Sequence, residues 1–296
     1  MYKLTVFSDY RGLPQVLLFL FLLTGCGKSA GQKTQAPAKV HVVATVYPLA
    51  DLARQVGGDA VDCDWIAEQG QSLDTLDPTP EVIEKIRSAD VVISGGIGED
   101  WATAGFDDPM RAKAILRLDL LPSAKADAGC RQLWLDPRIA KECAHELAER
   151  LIVRRPGKGG AMRANADKFA SEIDGILADF SSRNPDIQSL KVLVLSADYS
   201  ALLRSLGITE IRPIDASAMR LSDDDLRTLS AAIRTRKPAA LLIDVGVPAG
   251  VQQDLSQRLG IRVLPLDSLG SSSTSGRNTY QSILRYDLSQ LSSLMK

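Results

Sequence analysis

The chain has 296 residues, and its 35 Lys and Arg side chains almost balance 36 Asp and Glu side chains, which leaves a formal net charge of −1. A balanced charge without a basic stripe argues against a nucleic-acid partner. The length is enough for a short leader and two lobes of about 100–150 residues each.

The N-terminus has the pattern of a secretory signal. Basic residues precede an apolar run over 16–23, which is too short to span a bilayer. The run ends in Leu23-Thr24-Gly25-Cys26, which resembles the processing box of bacterial lipoproteins. We therefore predict a signal peptide over 1–25 and a lipidated Cys26. An ordinary signal followed by a chance cysteine is the alternative.

Residues 26–38 follow the leader and are mostly small and polar, which predicts a flexible tether. No later segment is long and apolar enough to be a membrane span. The sequence thus predicts a lipoprotein anchored on the extracytoplasmic, periplasmic side of a bacterial membrane.

Three cysteines remain once Cys26 is assigned to the lipid, and an odd number leaves at least one thiol unpaired. Cys63 lies on the apolar face of an alternating run, and Cys143 lies in a helical pattern. We expect buried, inert thiols. A disulfide among Cys63, Cys130 and Cys143 stays open at this point.

The first half of the chain alternates between strands and helices. Strands are predicted where Val, Ile and Thr dominate, and helices where apolar residues recur at helical spacing. Thr79 can cap a helix whose first turn contains Pro80. The pattern gives strands over 39–47, 61–66 and 91–94 and helices over 48–56 and 79–88.

Residues 138–183 keep a helical periodicity for much longer than any other segment. Pro156 and three nearby glycines interrupt it. The pattern predicts a helix, a kink or short break, and then a long helix that connects two lobes.

The second half repeats the alternation of the first. Strands are predicted over 191–195, 210–214, 240–243 and 262–266, and helices over 199–206, 223–236, 250–259 and 279–295. Strand–helix alternation favours an α/β fold: two similar lobes with parallel-type sheets flanked by helices. The expected boundaries are 39–137 for the first lobe, 138–183 for the connecting helical region and 184–296 for the second lobe.

The most informative motif is Leu73-Asp74-Thr75-Leu76-Asp77-Pro78-Thr79-Pro80. It resembles the first metal-site motif of the zinc/manganese substrate-binding lipoproteins of ABC importers, which normally reads His-Thr-Tyr-Glu-Pro-Thr-Pro. Asp74 stands where that family has histidine. The order of strands and helices over the mature chain is also similar to that family, in which a long helix restricts hinge motion and the ligand lies between the lobes.

Three other positions correspond to metal ligands of the family. Gln132, before Trp-Leu-Asp-Pro, stands where the family usually has histidine. Ala197 stands at the third position, so Asp198 is the candidate substitute there. Asp267, before Ser-Leu-Gly, is the one ligand retained. Asp244 stands where the family often has glutamate and is expected to hydrogen-bond to a ligand.

The resemblance therefore implies a metal site of unusual composition: Asp74, Gln132, Asp198 and Asp267. The chain has only two histidines, His41 and His145, and neither falls on a motif, so a histidine-rich zinc site is excluded. Carboxylates and an amide suit hard cations such as Mn²⁺, Mg²⁺ or Ca²⁺ better than Zn²⁺.

Two further aspartates precede prolines and have a simpler interpretation. Asp77 and Asp136 are expected to accept backbone N–H bonds at helix starts, not to bind metal. Nothing in the sequence indicates catalysis, since it has no Gly-x-Ser-x-Gly elbow and no histidine beside Ser196 or Asp198.

The sequence and the resemblance together predict a binding protein, not an enzyme. It would capture a divalent cation between its lobes as a monomer and deliver it to an ABC transporter permease in the membrane. The first alternative keeps the fold but loses the metal site, with a small organic ligand, a chelated ligand or a protein partner in the cleft. The second alternative is an extracytoplasmic enzyme on the same scaffold.

Overall fold

The structure is a computed structural model that describes residues 38–67, 79–95, 115–127 and 130–295. The predictions for Cys26, Asp74 and Asp77 fall outside these residues. Within the described ranges, no helix is both long enough and apolar enough to cross a bilayer.

The first lobe is built on a four-stranded sheet in which every pairing is parallel. The strand order is β2-β1-β3-β4, and helices follow β1 and precede β3. The elements are β1 (Val40–Val46), α1 (Tyr47–Gly57), β2 (Val61–Ala67), α2 (Pro80–Ser88), β3 (Val91–Ser94) and β4 (Ile115–Arg117). The predicted strands and helices of this lobe are present, and β4 is an addition that sequence patterns did not indicate.

The second lobe repeats this arrangement. Its sheet has the order β6-β5-β7-β8, again with parallel pairings throughout, so the second strand of each lobe lies at an edge beside the first. The elements are β5 (Lys191–Leu193), α5 (Ser200–Ser205), β6 (Thr209–Ile211), α6 (Asp223–Arg236), β7 (Ala240–Asp244), α7 (Ala249–Leu259) and β8 (Val263–Leu266). The predicted fold class, two similar α/β lobes, is confirmed.

Two long helices lie between the lobes in sequence, α3 (Pro137–Arg154) and α4 (Gly159–Arg183). The predicted kink or short break is a reversal of the chain direction. Ion pairs show the reversal, since they link early residues of α3 to late residues of α4, and late residues of α3 to early residues of α4. These pairs are Lys141–Asp174, His145–Asp167 and Glu149–Arg163. A final helix, α8 (Tyr280–Ser292), packs against α1 and α4.

Local capping explains where several helices begin. The Thr79 side chain accepts from the Val82 backbone N–H, as the sequence predicted, and Ser222 forms a capping box with Asp225. The buried Asp136 carboxylate accepts from the backbone N–H of Arg138 at 2.7 Å. Asp136 therefore acts as the predicted helix cap.

The core follows from the side-chain alternation of buried parallel strands. Val42 and Ala44 of β1 face the main apolar cluster, which also contains side chains of α1, α3, α4 and α8. Val43 points the other way, towards Ile86 of α2. In the second lobe Leu193 similarly faces a separate cluster with α6 and α7. Both sheets are thus covered on both faces.

The cysteines are buried and carry no disulfide among Cys63, Cys130 and Cys143. Burial raises the pKa of Cys63 and of Cys143 to about 12. Thiols this far from ionisation are poor nucleophiles, which agrees with the expectation of inert thiols.

A buried tryptophan joins the two lobes. Trp134 is fully buried; its indole N–H donates to the Ser268 carbonyl at 2.8 Å, and its own carbonyl accepts from the Tyr280 hydroxyl at 2.7 Å. The Tyr280 N–H donates to Asp51 at 2.8 Å. We call Trp134, Ser268, Tyr280 and Asp51 the interlobe seam.

Replacing Trp134 by Phe tests the seam. Trp134→Phe should lower the free energy of unfolding in urea by about 2–4 kcal/mol, because it opens a cavity and leaves the Ser268 carbonyl buried without its donor. Trp65→Phe makes the same chemical change at a partly exposed site and should cost less than about 1 kcal/mol. Equal losses in the two variants would contradict this account.

Candidate metal site

The candidate residues of the second lobe lie at the carboxyl ends of its parallel strands, where open α/β sheets usually bind ligands. Asp244 is the last residue of β7, and Asp267 directly follows β8. Tyr199 connects these strand ends, since its hydroxyl lies 2.9 Å from an Asp244 oxygen and 3.0 Å from the Leu266 carbonyl.

Asp267 is completely buried and its carboxylate is hydrogen-bonded on both oxygens. Oδ1 accepts from the backbone N–H groups of Leu269 and Gly270, at 3.2 and 2.7 Å. Oδ2 lies 2.9 Å from Nη1 of Arg277. Burial raises the pKa of Asp267, and the Gly270 N–H and the Arg277 charge oppose that shift.

The loop after Asp267 needs glycine at 270. Gly270 has φ +59°, and a Cβ there would lie 2.3 Å from Cδ1 of Ile283 and 2.8 Å from the Arg277 carbonyl oxygen. Only glycine fits this left-handed backbone and the close approach. The Gly270 N–H is thereby aimed at Asp267.

Asp244 accepts hydrogen bonds on both of its oxygens. Oδ2 accepts from Tyr199 and from the Ser268 hydroxyl at 2.8 Å, and Oδ1 accepts from the Gly246 N–H at 2.8 Å. The Ser268 contact ties Asp244 to the residue after Asp267. The expected role of Asp244, a hydrogen bond to a metal ligand, stays a prediction.

Asp198 lies in the bend between β5 and α5, partly exposed. Its Oδ2 accepts from the Ser196 hydroxyl. Ala197 between them is buried, so the non-ligating residue at this family position points into the core. Asp198, not Ala197, is the residue here that can offer oxygen to a ligand.

Gln132 stands just before a single turn of 3₁₀ helix over Leu133–Leu135, on the chain segment that forms the seam through Trp134. Its Oε1 atom is buried and has no hydrogen-bond partner among the residues that the structure describes. A buried amide oxygen in this state is unfavourable by about 1–3 kcal/mol. It needs a hydrogen-bond donor or a cation.

The histidines lie away from these residues. His41 is in β1 near its amino end, with Nε2 3.8 Å from Asp64. His145 is at an exposed position on α3, with ring nitrogens facing the Lys141 carbonyl and Asp167. Within the described ranges, no three His, Cys, Asp or Glu side chains are close enough to hold a metal ion. Asp74 would have to complete the predicted site.

Comparison with known proteins identifies the family. Residues 42–294 match the family described as ZnuA, zinc-uptake complex component A, periplasmic. The chain belongs to this family. Members of the ZnuA family are substrate-binding proteins that work with an ABC transporter permease, and they are not enzymes. Both the resemblance and the predicted class of function are confirmed.

Individual members of the ZnuA family are distant in sequence. The iron ABC transporter substrate-binding lipoprotein MtsA of Streptococcus pyogenes is 22% identical over 295 residues, covering 93% of this chain and 94% of MtsA. The manganese ABC transporter substrate-binding lipoprotein PsaA of Streptococcus anginosus is 21% identical over 300 residues, covering 93% and 96%.

A solved structure shows the same fold. The periplasmic zinc-binding protein TroA from Treponema pallidum superposes with a TM-score of 0.72 at 15% identity, covering 87% of this chain and 99% of TroA.

Two charged residues of the site were missed by sequence reasoning. Arg277 is a single charge in a Ser- and Gly-rich loop, and Asp287 interrupts the apolar face of α8. The buried Asp287 accepts from the Asp267 backbone N–H at 2.7 Å. A carboxylate among Ile283, Leu284, Leu288 and Leu291 is the signal that could have indicated Asp287 in advance.

The stability of the protein should depend on pH through Asp287. Burial raises the pKa of Asp287 well above its usual value, so this carboxyl stays protonated to higher pH in the folded protein than in the unfolded chain. Its contribution is therefore complete below about pH 4 and is lost as pH rises towards the folded-state pKa. Asp287→Asn should match the wild-type free energy of unfolding near pH 4 and exceed it increasingly towards pH 8.

Urea denaturation across this pH range measures the difference. Asp224→Asn, at an exposed carboxylate, is the control and should change stability by less than about 0.5 kcal/mol. A variant Asp287→Asn that is less stable than wild type at pH 8 would show that the carboxyl is ionised in the fold.

Proposed function

We propose that this protein binds a divalent cation between its two lobes and delivers it to the permease of an ABC importer. Relatives named for iron and manganese import and a zinc-binding protein with the same fold support a metal cargo. The mechanism is capture and release, without bond chemistry.

The proposed ligands are Asp74, Gln132, Asp198 and Asp267, with Asp244 holding the second-lobe strand ends in place. All four ligands offer oxygen. Oxygen ligands favour Mn²⁺, or another hard cation, over Zn²⁺. A site with fewer nitrogen ligands should also bind first-row metals more weakly than an imidazole site.

The buried Oε1 of Gln132 is the observation that carries this proposal. It occupies the position of a histidine ligand in the family and can accept a hydrogen bond or coordinate a cation, but it cannot donate. A cation beside it would satisfy a buried acceptor that has no partner in the described part of the chain.

Arg277 favours the alternative, in which the cleft no longer takes a bare cation. Its guanidinium already pairs with Asp267, so an organic or chelated ligand could use the remaining N–H donors. Native mass spectrometry of protein isolated from its own cell separates the two: a bound organic mass supports the alternative, and a bound metal mass alone supports the main proposal.

Metal addition tests the main proposal. Purified protein stripped by a chelator should gain about 2.7 kcal/mol of stability at a Mn²⁺ concentration of about 100 times Kd. Gln132→His restores an imidazole and should tighten Zn²⁺ binding by about tenfold or more relative to Mn²⁺. Isothermal titration measures both ions on both proteins. A protein that gains no stability from Mn²⁺, Fe²⁺, Zn²⁺ or Ca²⁺ is not a cation carrier.

We also propose an architecture for the whole chain: a signal peptide over 1–25, a lipidated Cys26 with a tether to residue 38, lobes over 39–137 and 184–296, and a connecting region over 138–183. The names of MtsA and PsaA as lipoproteins support the anchor. The protein would act as a monomer on the extracytoplasmic side of the membrane.

Replacing Cys26 tests the anchor. Cys26→Ser should move the protein from the membrane fraction to the soluble fraction and abolish incorporation of radiolabelled palmitate, because serine offers no thiol to the lipid-transferring enzyme. Cys63→Ser, at a buried thiol of the fold, is the control and should leave labelling intact. Labelling that persists in Cys26→Ser places the lipid elsewhere.

A further inference from the structure

The carboxylate of Asp267 already has a cation in contact with it. Nη1 of Arg277 lies 2.9 Å from Oδ2, and the side chains are 23% and 1% exposed for Arg277 and Asp267. Because Oδ1 accepts two backbone N–H groups, Oδ2 is the oxygen that a cargo ion would have to reach.

The position of Arg277 is fixed by its loop and by an aromatic ring. Its backbone N–H donates to the Thr274 carbonyl at 3.1 Å, and its own carbonyl accepts from the Ser271 N–H at 3.1 Å. The guanidinium carbon lies 5.1 Å from the centroid of the Tyr286 ring, within cation–π range. The Tyr286 ring therefore gives the guanidinium a second contact besides Oδ2.

The charge of Arg277 faces several carboxyl groups. Its field acts on Asp267 and on Asp287, and Asp244 adds a further acidic side chain at the same strand ends. Removing the guanidinium would leave these groups without that positive charge. A dication is the species whose charge could best replace it.

We propose that Arg277 is a built-in competitor for the cargo: it neutralises Asp267 in the metal-free protein, and a divalent cation binds by displacing it from Oδ2. This inference rests on the proposed function and names a residue that sets its affinity and selectivity. A dication is attracted to Oδ2 twice as strongly as a monovalent ion at the same distance, so the exchange disfavours Na⁺ and K⁺. It also keeps the cargo loosely held for release.

The experiment compares Mn²⁺ binding by the full mature protein and three variants at position 277. Arg277→Gln and Arg277→Met remove the charge and should lower the Kd for Mn²⁺ by about tenfold or more, because a nearby like charge is gone. Arg277→Lys keeps the charge and should stay within about threefold of wild type. Isothermal titration gives the Kd values.

Arg163→Gln is the matched control. Arg163 also forms a close pair with a carboxylate, Glu149, at 2.7 Å, but between α3 and α4, with 58% of its side chain exposed. The substitution removes the same charge and should leave the Kd for Mn²⁺ unchanged.

Thermal denaturation provides a second readout. Without metal, Arg277→Gln should melt below wild type, since Asp267 is left buried without its cationic partner. With saturating Mn²⁺ it should show a larger rise in Tm than wild type. If Arg277 only stabilised the loop, its substitution would lower Tm equally with and without metal.

The outcomes separate the two proposals. If wild type binds Mn²⁺ and the folded Arg277→Gln and Arg277→Met variants bind it equally or more weakly, the cargo proposal stands. The role proposed for Arg277 is then wrong. If neither the wild type nor any variant binds a divalent cation, both proposals fail. If the neutral variants do not fold, the Nε–H resonance of Arg277 in the wild type decides: it should shift on adding diamagnetic Ca²⁺, and no shift overturns the inference.

Discussion

The arrangement of the site depends on the hydrogen bonds of Trp134. This side chain comes from the segment before α3, donates across the lobe boundary to Ser268 and accepts, through its carbonyl, from Tyr280 of α8. Both contacts are buried, so breaking them would leave polar groups without partners. They fix Gln132, two residues before Trp134, relative to Asp267, one residue before Ser268. The lobes are therefore tied beside the proposed ligands and not only through the long helices.

The polar groups at the strand ends of the second lobe offset the cost of one another's burial. Three acidic side chains, Asp244, Asp267 and Asp287, converge in a largely buried region, which is unfavourable unless they are protonated, hydrogen-bonded or paired. The structure uses all three remedies. Backbone N–H groups and hydroxyls bond to the carboxylates, Arg277 pairs with Asp267, and burial raises the pKa of Asp287. The protein itself thus supplies both the hydrogen-bond donors and the positive charge around Asp267, the proposed ligand.

Most of the fold could be predicted from sequence because its signals are local. The cap at Thr79 and the cap at Asp136 each act within one turn of their helix. The strand β4 was missed, since three residues of mixed character carry too little periodicity. The reversal after α3 was predicted only as a kink or break, because Pro156 and its neighbouring glycines indicate an interruption but not the direction in which the chain continues.

The sequence by itself determined the class of the protein: the alternating elements, the motif around Gln132, Trp134 and Asp136, and the retained Asp267 all point to a two-lobed binding protein of the ZnuA family. The sequence also determined that the proposed ligands offer oxygen atoms, since the chain has only two histidines and neither falls on a motif. The tertiary structure alone decided which partners these groups have. Arg277 reaches Asp267 across a ten-residue loop, and Asp287 reaches it from a helix twenty residues on. Such pairings are set by packing between elements and by burial, which short-range sequence patterns do not encode.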